Sequence, residues 1–572
     1  MIKQKPIKIE RKIIHKEDEA VRFIALGGLE EIGRNMMIFE YKNEIIAIDA
    51  GFQFPEETTP GIDFIIPNIS YLEGKKQNVR ALVITHGHYD HIGAIPYIME
   101  KIGNPPVYAT SITKEIIARR QEEFPHSAKL NFEIIKPGET RKLSENFTAH
   151  FFPVTHNIPE GVGLVLETPA GKIVHPGEFK FDYDLEGKPK DLDIWEKIGK
   201  QGINALLLDS TGAEEEGWSL SERVVEKELE RIFKAAKGRI VVGTFASLLD
   251  RLNEIIKIAE RLGKNVAVSG RSMKDNIQIA RKLGFMKFEK ETFIPLEEIN
   301  KYPDDKILII CTGAQGEPEA SLARIASGEH RHIQIKKGDT VILSASVIPG
   351  NERAVQSLRD EIARQGAIIY HYKMMDIHSS GHAPIEELKT VMRFVKPKFF
   401  IPIHGYYFMR WRNAQHAQEA LGLKPEQTIV SDNGRVVLLK KDSALLVEER
   451  VPANYVMVDG LGVGDVREVV LRDRQVLSAD GIFVIIAVVD GATGKVRMSP
   501  DIISRGFVYL RESKELLFET RKLIRRVVEE TTSKMHPVNW SWVKDVLRER
   551  ISSFLFRKTQ RRPMVLPVII EV

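Results

Sequence analysis

The sequence predicts an α/β protein of three units. These are a two-sheet sandwich flanked by helices, a doubly wound parallel α/β domain inserted into it, and a small C-terminal α+β domain. Three observations carry this reading. Up to about residue 212, short β-branched runs alternate with loops and only occasional helical patterns. From about Ser219 the rhythm changes to regular alternation of apolar strands and amphipathic helices, the signature of a parallel sheet. After about Met374 the first style returns, so the middle segment reads as an insertion rather than a neighbour.

The elements follow in order. VRFIALGGL, NEIIAIDAGF, VRALVITHG, PPVYA, FTAHFFPV, GVGLVLETP, GKIVHPG and INALLLDST read as strands, and ITKEIIARRQEEF reads as a helix. In the insertion, SLSERVVEKELERIFKAA is a helix with a Ser N-cap and a Glu three residues on. GRIVVGTF, NVAVSG, KILIICTG and DTVILSA are its buried strands. PIEELKTVMRFV is a helix leading into the strand KFFIPIHG. In the tail, REVVLRDRQVLSADGIFVIIAVVD reads as two strands, SKELLFETRKLIRRVVEETTSK and SWVKDVLRERISSFLFRKT as helices, and PMVLPVIIEV as a last strand. The expected boundaries are a basic N-terminal tail over 1–20, the sandwich over 21–212 and 374–446, the insertion over 213–373, a linker over 447–464 and the C-terminal domain over 465–572.

Composition narrows the function. The 572 residues hold one cysteine, Cys311, so no disulfide framework or cysteine-built metal cluster is available, and metal ligands must come from the sixteen histidines and the carboxylates. The longest apolar run, Ile482 to Val489, is far short of the ~20 residues that span a bilayer, so no membrane association is expected. The N-terminus is basic without an apolar core of the secretory kind, and a cytoplasmic protein is expected. Net charge is +4, from 83 basic and 79 acidic side chains. Residues 464–572 carry 20 Lys and Arg against 14 Asp and Glu, a net +6 that leaves −2 for the rest, so the tail domain is the polyanion-facing candidate.

The most informative segment is THGHYDHIG, Thr85–Gly93. His86, His88, Asp90 and His91 lie within six residues at the end of a strand. A loop there can place two histidines on one metal and an Asp–His pair on a second. Paired divalent ions can activate water and clamp the oxygens of a phosphate under displacement. His156 and His404 follow strands elsewhere, where further ligands would gather, and Glu178 in HPGEF is placed to bridge two metals. Of the remaining eleven histidines, all but His378 and His382 read as surface or core.

These motifs resemble the β-CASP group of the metallo-β-lactamase superfamily of nucleases, and within it the ribonuclease J family. The resemblance runs from about Phe23 to Val572 through ALGGLEEIGRNM, THGHYDHIGAIPY, LLLDSTGAEEEGWSLSE, SGRSM, TGAQGEPEASLARIASGEH, IHSSGHAPIEELK, FIPIHG and RKTQRRPMVLPVIIEV. It implies a metallo-β-lactamase αββα sandwich with a β-CASP insertion, and a metal-dependent ribonuclease. The implied activity is a 5′→3′ exonuclease preferring 5′-monophosphate ends plus an endonuclease, in rRNA processing and mRNA decay. It implies two Zn2+ per chain, with Mn2+ or Mg2+ as alternatives. His86, His88 and His156 would hold one ion and Asp90, His91 and His404 the other, with Glu178 bridging and Asp49 supporting the histidine loop. Asp90, Asp209 and His382 receive the catalytic roles, with Asp209 orienting a metal-bound histidine. His378, Ser379, Ser380, Gly381 and His382 match the substrate-binding loop, Gly381 allowing close backbone approach and the hydroxyls donating to phosphate. Expected partners are single-stranded RNA, a second copy through the C-terminal domain as homodimer or homotetramer, and an RNA-degradation complex.

Three positions depart from the family pattern. Glu178 replaces the usual Asp, Tyr406 replaces an acid after His404, and Tyr89 replaces an acid within the histidine loop. The first two motivate the alternative, a weakly active or inactive scaffold paralogue in an RNA-degradation assembly.

Overall fold

The computed structural model describes residues 20–55, 59–184, 187–317, 319–347, 351–460, 462–465, 468–508, 513–533 and 537–572. The basic tail up to residue 19, with His15, lies outside them, as does His536. The chain divides into two compact units, Met1–Gln53 with Ile66–Tyr455, and Phe54–Ile65 with Val456–Val572.

The first unit holds the sandwich. One sheet has eight strands, in the order Ser443–Arg450, Arg435–Lys440, Val21–Gly27, Met36–Tyr41, Glu44–Ile48, Val79–Val83, Val107–Ala109 and Phe132–Ile134. The other has six, in the order Phe399–Ile403, Ile203–Asp209, Gly171–His175, Val162–Thr168, Thr148–Pro153 and Thr140–Lys142. Alternate residues of both sheets, among them Phe23, Phe39, Val83, Leu164, Leu207 and Ile401, meet in one core. The strand INALLLD is buried along its whole length. Its other face, with Leu206 and Leu208, packs against Val391 and Met392 of the helix Ile385–Val395.

The insertion is also part of this unit. Its five strands are all parallel, in the order Asn265–Ser269, Ile307–Cys311, Ile240–Gly243, Thr340–Leu343 and Ile368–His371. Val241, Ile309 and Val341 pack with Leu322, Ile325, Leu358 and Ile362 of the helices Ser321–Ala326 and Glu352–Arg364. Cys311 is fully buried among them, and burial pushes its thiol up to about 12. The insertion departs just after Asp209; the chain rejoins the sandwich through the helix Ile385–Val395, and the strand that follows, Phe399–Ile403, runs parallel beside Ile203–Asp209 with Asp209 opposite Ile403. That pairing sets Asp209 and His404 side by side at the strand ends.

The second unit carries a three-stranded sheet, with Ile482–Val489 central, parallel to Met564–Glu571 and antiparallel to Asp501–Arg505. Phe483, Ile485, Ala487 and Val489 pack on Ile524 and Val527 of the helix Lys514–Thr532 and on Leu547 and Ile551 of the helix Trp540–Thr559.

Three expectations need correction. REVVLRDRQVL is not a strand: Glu468–Asp480 is a helix. Its valines suggested β structure, but Glu468, Leu471, Arg472, Arg474, Gln475 and Leu477 are strong helix formers and outnumber them. The segment read as a linker from 447 begins inside the strand Ser443–Arg450, whose antiparallel pairing with Arg435–Lys440 closes the sheet edge. The N-cap of the helix Glu222–Ala235 is Ser221, whose hydroxyl accepts the Arg223 amide at 3.3 Å, and Val224 rather than a Glu stands three residues on. Several strands escaped the sequence reading, among them Met36–Tyr41, Phe132–Ile134, Thr140–Lys142, Ile368–His371, Arg435–Lys440 and Asp501–Arg505.

Candidate metal centre and substrate loop

Asp49 ends a strand with a left-handed backbone, φ +60°, and turns its carboxylate under the next strand's end. There it accepts the Thr85 amide at 2.8 Å, the Thr85 hydroxyl at 2.9 Å and His91 Nδ1 at 2.8 Å. Holding Nδ1 in this way turns His91 Nε2 toward Glu178 and Asp90, the usual carboxylate support of a metal-binding histidine. Asp90 and His91 sit on a single helical turn, Tyr89–Ile92, which His88 precedes with an extended backbone, and His86 lies two residues before that. Gly51 makes this turn possible, because a Cβ there would fall 1.5 Å from the Asp90 carbonyl oxygen. Tyr89 stacks on Phe52, centroids 5.7 Å apart, which accounts for a phenol at that position.

Two groups of donors converge. In the first, His88 Nδ1 lies 3.0 Å from His86 Nε2 and 3.1 Å from His156 Nε2, and Glu178 Oε2 lies 3.6 Å from His86 Nε2 and 3.4 Å from His156 Nε2. His156 Nδ1 donates to the Gly381 carbonyl at 2.7 Å, which frees its Nε2. In the second, His91 Nε2 lies 3.1 Å from Glu178 Oε1 and 3.5 Å from Asp90 Oδ2. Glu178 thus offers one oxygen to each group. His404 stands beside the second group, its backbone at φ +51°, its ring 5.6 Å from that of His91 and its Nδ1 3.9 Å from Glu178 Oε1. It is buried, and neither of its ring nitrogens has a hydrogen-bond partner.

The donor set fits divalent ions. Tetrahedral zinc with N ligands at ~2.0–2.1 Å places neighbouring donors roughly 3.3 Å apart, close to the separations found here. Burial, reinforced by neighbouring histidines, holds His86 and His156 well below the usual histidine range and His88 down at about 4, so their lone pairs are free. Burial also acts to lower His91, but Glu178, Asp90 and Asp49 outweigh it and hold the ring well above its ordinary value. Burial raises the Glu178 carboxyl. A buried cluster of bare nitrogens around carboxylates is an electrostatic arrangement that a bound cation completes.

Asp209 faces two histidines: its Oδ1 lies 3.9 Å from His404 Nδ1, and its closest histidine partner is His382. Its Oδ2 pairs with His382 Nδ1 at 2.7 Å, and its Oδ1 accepts the Thr211 amide at 2.9 Å and hydroxyl at 2.8 Å. Burial opposes charge on His382, but Asp209 and Glu178 outweigh it and push the ring up to about 10. His382 Nε2 lies 4.0 Å from Glu178 Oε2, at the border of the first group.

The rest of the loop differs from expectation. His378 faces Arg251, whose Nη1 donates to its Nδ1 at 2.7 Å, and burial with that guanidinium pushes His378 down to about 3. Ser379 is buried, donates its hydroxyl to the Leu220 carbonyl at 2.6 Å and accepts from Lys180 Nζ at 2.9 Å. Gly381 makes its close approach to His156 and Asn157, where a Cβ would come within 2.6 Å and 2.3 Å. His378, His382 and Ser380, which accepts the His382 amide at 3.2 Å, are the partly open residues of the loop.

The sequence reading missed the group that holds this loop. Glu222, at the first turn of the inserted domain's helix, accepts from Arg251 Nη2 at 2.8 Å and from Lys180 Nζ at 2.7 Å. Lys180 and Arg251 side chains are 1% and 2% exposed and Glu222 is 31% exposed, so the group is two buried cations meeting a partly exposed carboxylate where the sandwich joins the insertion. No local motif announces it, because its members lie 29 and 42 residues apart on different elements. His175 was also passed over: it is buried with its ring 6.0 Å from that of His404, and its place two residues before Gly177-Glu178 was the available signal. Asn35 Nδ2 lies 3.0 Å from His91 Nε2.

The comparisons with known proteins agree with this architecture. Residues 46–261 match the beta-lactamase superfamily domain, 237–362 the ribonuclease J beta-CASP domain, 369–427 the Zn-dependent metallo-hydrolase RNA specificity domain, and 469–572 the ribonuclease J C-terminal domain. The chain is 40% identical over 555 residues to ribonuclease J 1 of Streptococcus pyogenes, covering 96% of this chain and 97% of that one. It is 38% identical over 560 residues to ribonuclease J2 of Bacillus subtilis, covering 97% and 100%. A crystal structure of a protein of unknown function from Enterococcus faecalis superposes with a TM-score of 0.51 at 15% identity, over 75% of this chain and all of that one, a likeness of fold alone. The fold and the site define a metallo-hydrolase of the β-CASP kind. The chain belongs to the ribonuclease J family, a family of metal-dependent ribonucleases. Among the described residues no helix is long and apolar enough to cross a membrane.

Proposed function

We propose that the chain hydrolyses RNA phosphodiesters at a two-metal centre, releasing nucleotides 5′→3′ from 5′-monophosphate ends and also cutting internally. The observation that carries this is Glu178, with one carboxylate oxygen turned to each of two buried donor groups. His86, His88 and His156 would hold one ion and Asp90, His91 and His404 the other, with zinc favoured by the nitrogen-rich set and manganese or magnesium as alternatives. Bound there, the ions supply Lewis acidity toward the phosphate and activate water. The chain's own residues do the rest. Asp49 fixes the His91 tautomer. Glu178 keeps the two groups in register. His382, charged through its pairing with Asp209, donates to the departing 3′-oxygen, so the products carry a 5′-phosphate and a 3′-hydroxyl. Ser380 and the amides of 378–382 position the phosphate. The protein acts as a homodimer or homotetramer through its C-terminal domain.

The test is digestion of a 5′-labelled, 5′-monophosphate RNA with and without chelator. Release of labelled mononucleotide that stops on chelation is expected, and undiminished cleavage after complete metal removal overturns the reading. A second reading, a weakly active scaffold, is favoured by His404 standing apart from the second group. Metal content per chain separates the two: two ions for the active enzyme, one or none for the scaffold.

A further inference from the structure

A cavity of about 830 Å³ lies beside the substrate loop and is not part of the donor groups. Its walls come from both halves of the first unit. Tyr183 stands on the sandwich side. Trp218, Ser219, Arg223, Val224 and Lys227 stand at the entry to the inserted domain. Three features describe its chemistry. Trp218 is 49% exposed, an unusual state for so large an apolar ring in a chain whose Trp195 is buried. Arg223 and Lys227, four residues apart on the helix Glu222–Ala235 and therefore on one face, are exposed and make no ion pair among the described residues. Among the described lining residues Asp184 is the acid, and its Oδ1 is engaged by the Lys188 amide at 2.9 Å.

The cavity is built rather than incidental. Glu387 is fully buried and accepts from the Tyr183 hydroxyl at 2.7 Å and from the Ser219 amide at 2.8 Å, so one carboxylate pins both walls. The segment carrying Trp218 continues to Leu220, whose carbonyl receives the Ser379 hydroxyl. The cavity wall and the substrate loop are therefore one hydrogen-bonded structure.

A half-exposed indole flanked by two unpaired cations in a rigid groove matches one ligand chemistry, a nucleotide of a single-stranded chain. The base lies on the ring and the phosphates face the cations. We infer that this cavity is a second RNA subsite, remote from the scissile phosphate, in which a base stacks on Trp218 and the flanking phosphates pair with Arg223 and Lys227. The inference rests on the ribonuclease reading above. It assigns the subsite the role of lengthening the RNA footprint: chains long enough to reach it bind more tightly than chains that fill only the catalytic groups.

The experiment uses the full-length holoenzyme and a 2′-O-methyl phosphorothioate RNA decamer as a cleavage-resistant probe, with the matching trimer as the short control, both read by fluorescence anisotropy. Trp218→Leu is expected to weaken the decamer about 5- to 100-fold while leaving the trimer unchanged, and Trp218→Phe to restore most of the loss. The double variant Arg223→Gln/Lys227→Gln is expected to flatten the slope of log affinity against log salt by about 1.4 for the decamer. Decamer binding by Trp218→Leu equal to wild type overturns the inference. So does an equal loss for the trimer, or a Phe variant as weak as the Leu variant. Cleavage of an unmodified RNA trimer is measured in parallel. If wild type binds the decamer but cleaves no RNA in any metal, the catalytic reading fails while the subsite stands. If the variants bind like wild type and cleave, the subsite alone fails.

Discussion

The two loops that meet at the site are held in opposite ways. The histidine loop, Thr85–Gly93, is supported locally: Asp49, one strand away, fixes Thr85 and His91, and the chain itself folds back over Gly51. The substrate loop, 378–382, is held by side chains brought from across the first unit. Lys180 and Asp209 come from the sandwich, and Glu222 and Arg251 from the insertion. The difference separates two tasks. The histidine loop is held by the sandwich, whereas the loop 378–382 also leans on the inserted domain, and the two sides touch where His156 Nδ1 donates to the Gly381 carbonyl at 2.7 Å.

Substitutions on each side sharpen that contrast. The largest effect is expected for His88→Ala, which removes the donor common to two close contacts of the first group. RNA cleavage should fall by on the order of a thousandfold or more, with thermal unfolding almost unchanged. An active variant with normal metal content would break the comparison at its metal side. Glu222→Gln should do the reverse. It leaves Lys180 and Arg251 as buried cations facing a neutral amide; because the Glu222 side chain is 31% exposed, stability should fall by about 1–3 kcal/mol in denaturant titrations while bound metal per folded chain stays at the wild-type level. Loss of metal in that variant would show the two loops to be one system.

Acid gives a third test. Burial raises the Glu222 carboxyl, but Arg251 and Lys180 outweigh it and hold the group at about 2. A depressed carboxylate stabilises the fold above its ordinary value and loses that contribution as pH falls through the depressed one. Wild type should therefore lose up to about 3 kcal/mol between roughly pH 4.5 and 2, and Glu222→Gln should lose less across the same window. Equal acid profiles would remove Glu222 from the account.

Asp49→Asn keeps the shape but lets the His91 ring choose its tautomer, so metal affinity should drop about 10- to 100-fold in a chelator competition. The smallest effect is expected for Ser379→Ala, which gives up the bond to the Leu220 carbonyl for about 1 kcal/mol of stability and shifts cleavage more than metal content.

The same contrast explains what could be read from the chain. The histidine loop was legible because its four candidate residues lie within six positions and its support lies at the end of a neighbouring strand. His156 and His404 were legible because they close apolar strand patterns. The alternation in the insertion was visible because its strands are buried on both faces. Glu222, Lys180 and Arg251 were not, since charged residues on amphipathic helices and loops look alike until tertiary packing removes their water. The helix Glu468–Asp480 was misread because three valines imitate a strand, and only the sheet that forms beyond it decides between the two states. Ser379 and Gly381 were recognised as special, but their partners proved to be protein groups, Leu220, Lys180 and His156, rather than solvent-facing ligand positions.

The point where the insertion leaves and rejoins the sandwich has a mechanical consequence. The chain leaves after Asp209 and comes back through His382 into the helix Ile385–Val395, and the two crossings are tied together where His382 Nδ1 meets Asp209 Oδ2 at 2.7 Å. Two crossings fastened side by side act as a hinge pin: an inserted domain joined in this way rocks about the line through Asp209 and His382 more easily than it twists. Groups on that line move least, so the Asp209–His382 pair keeps its geometry while residues farther out in the insertion travel most.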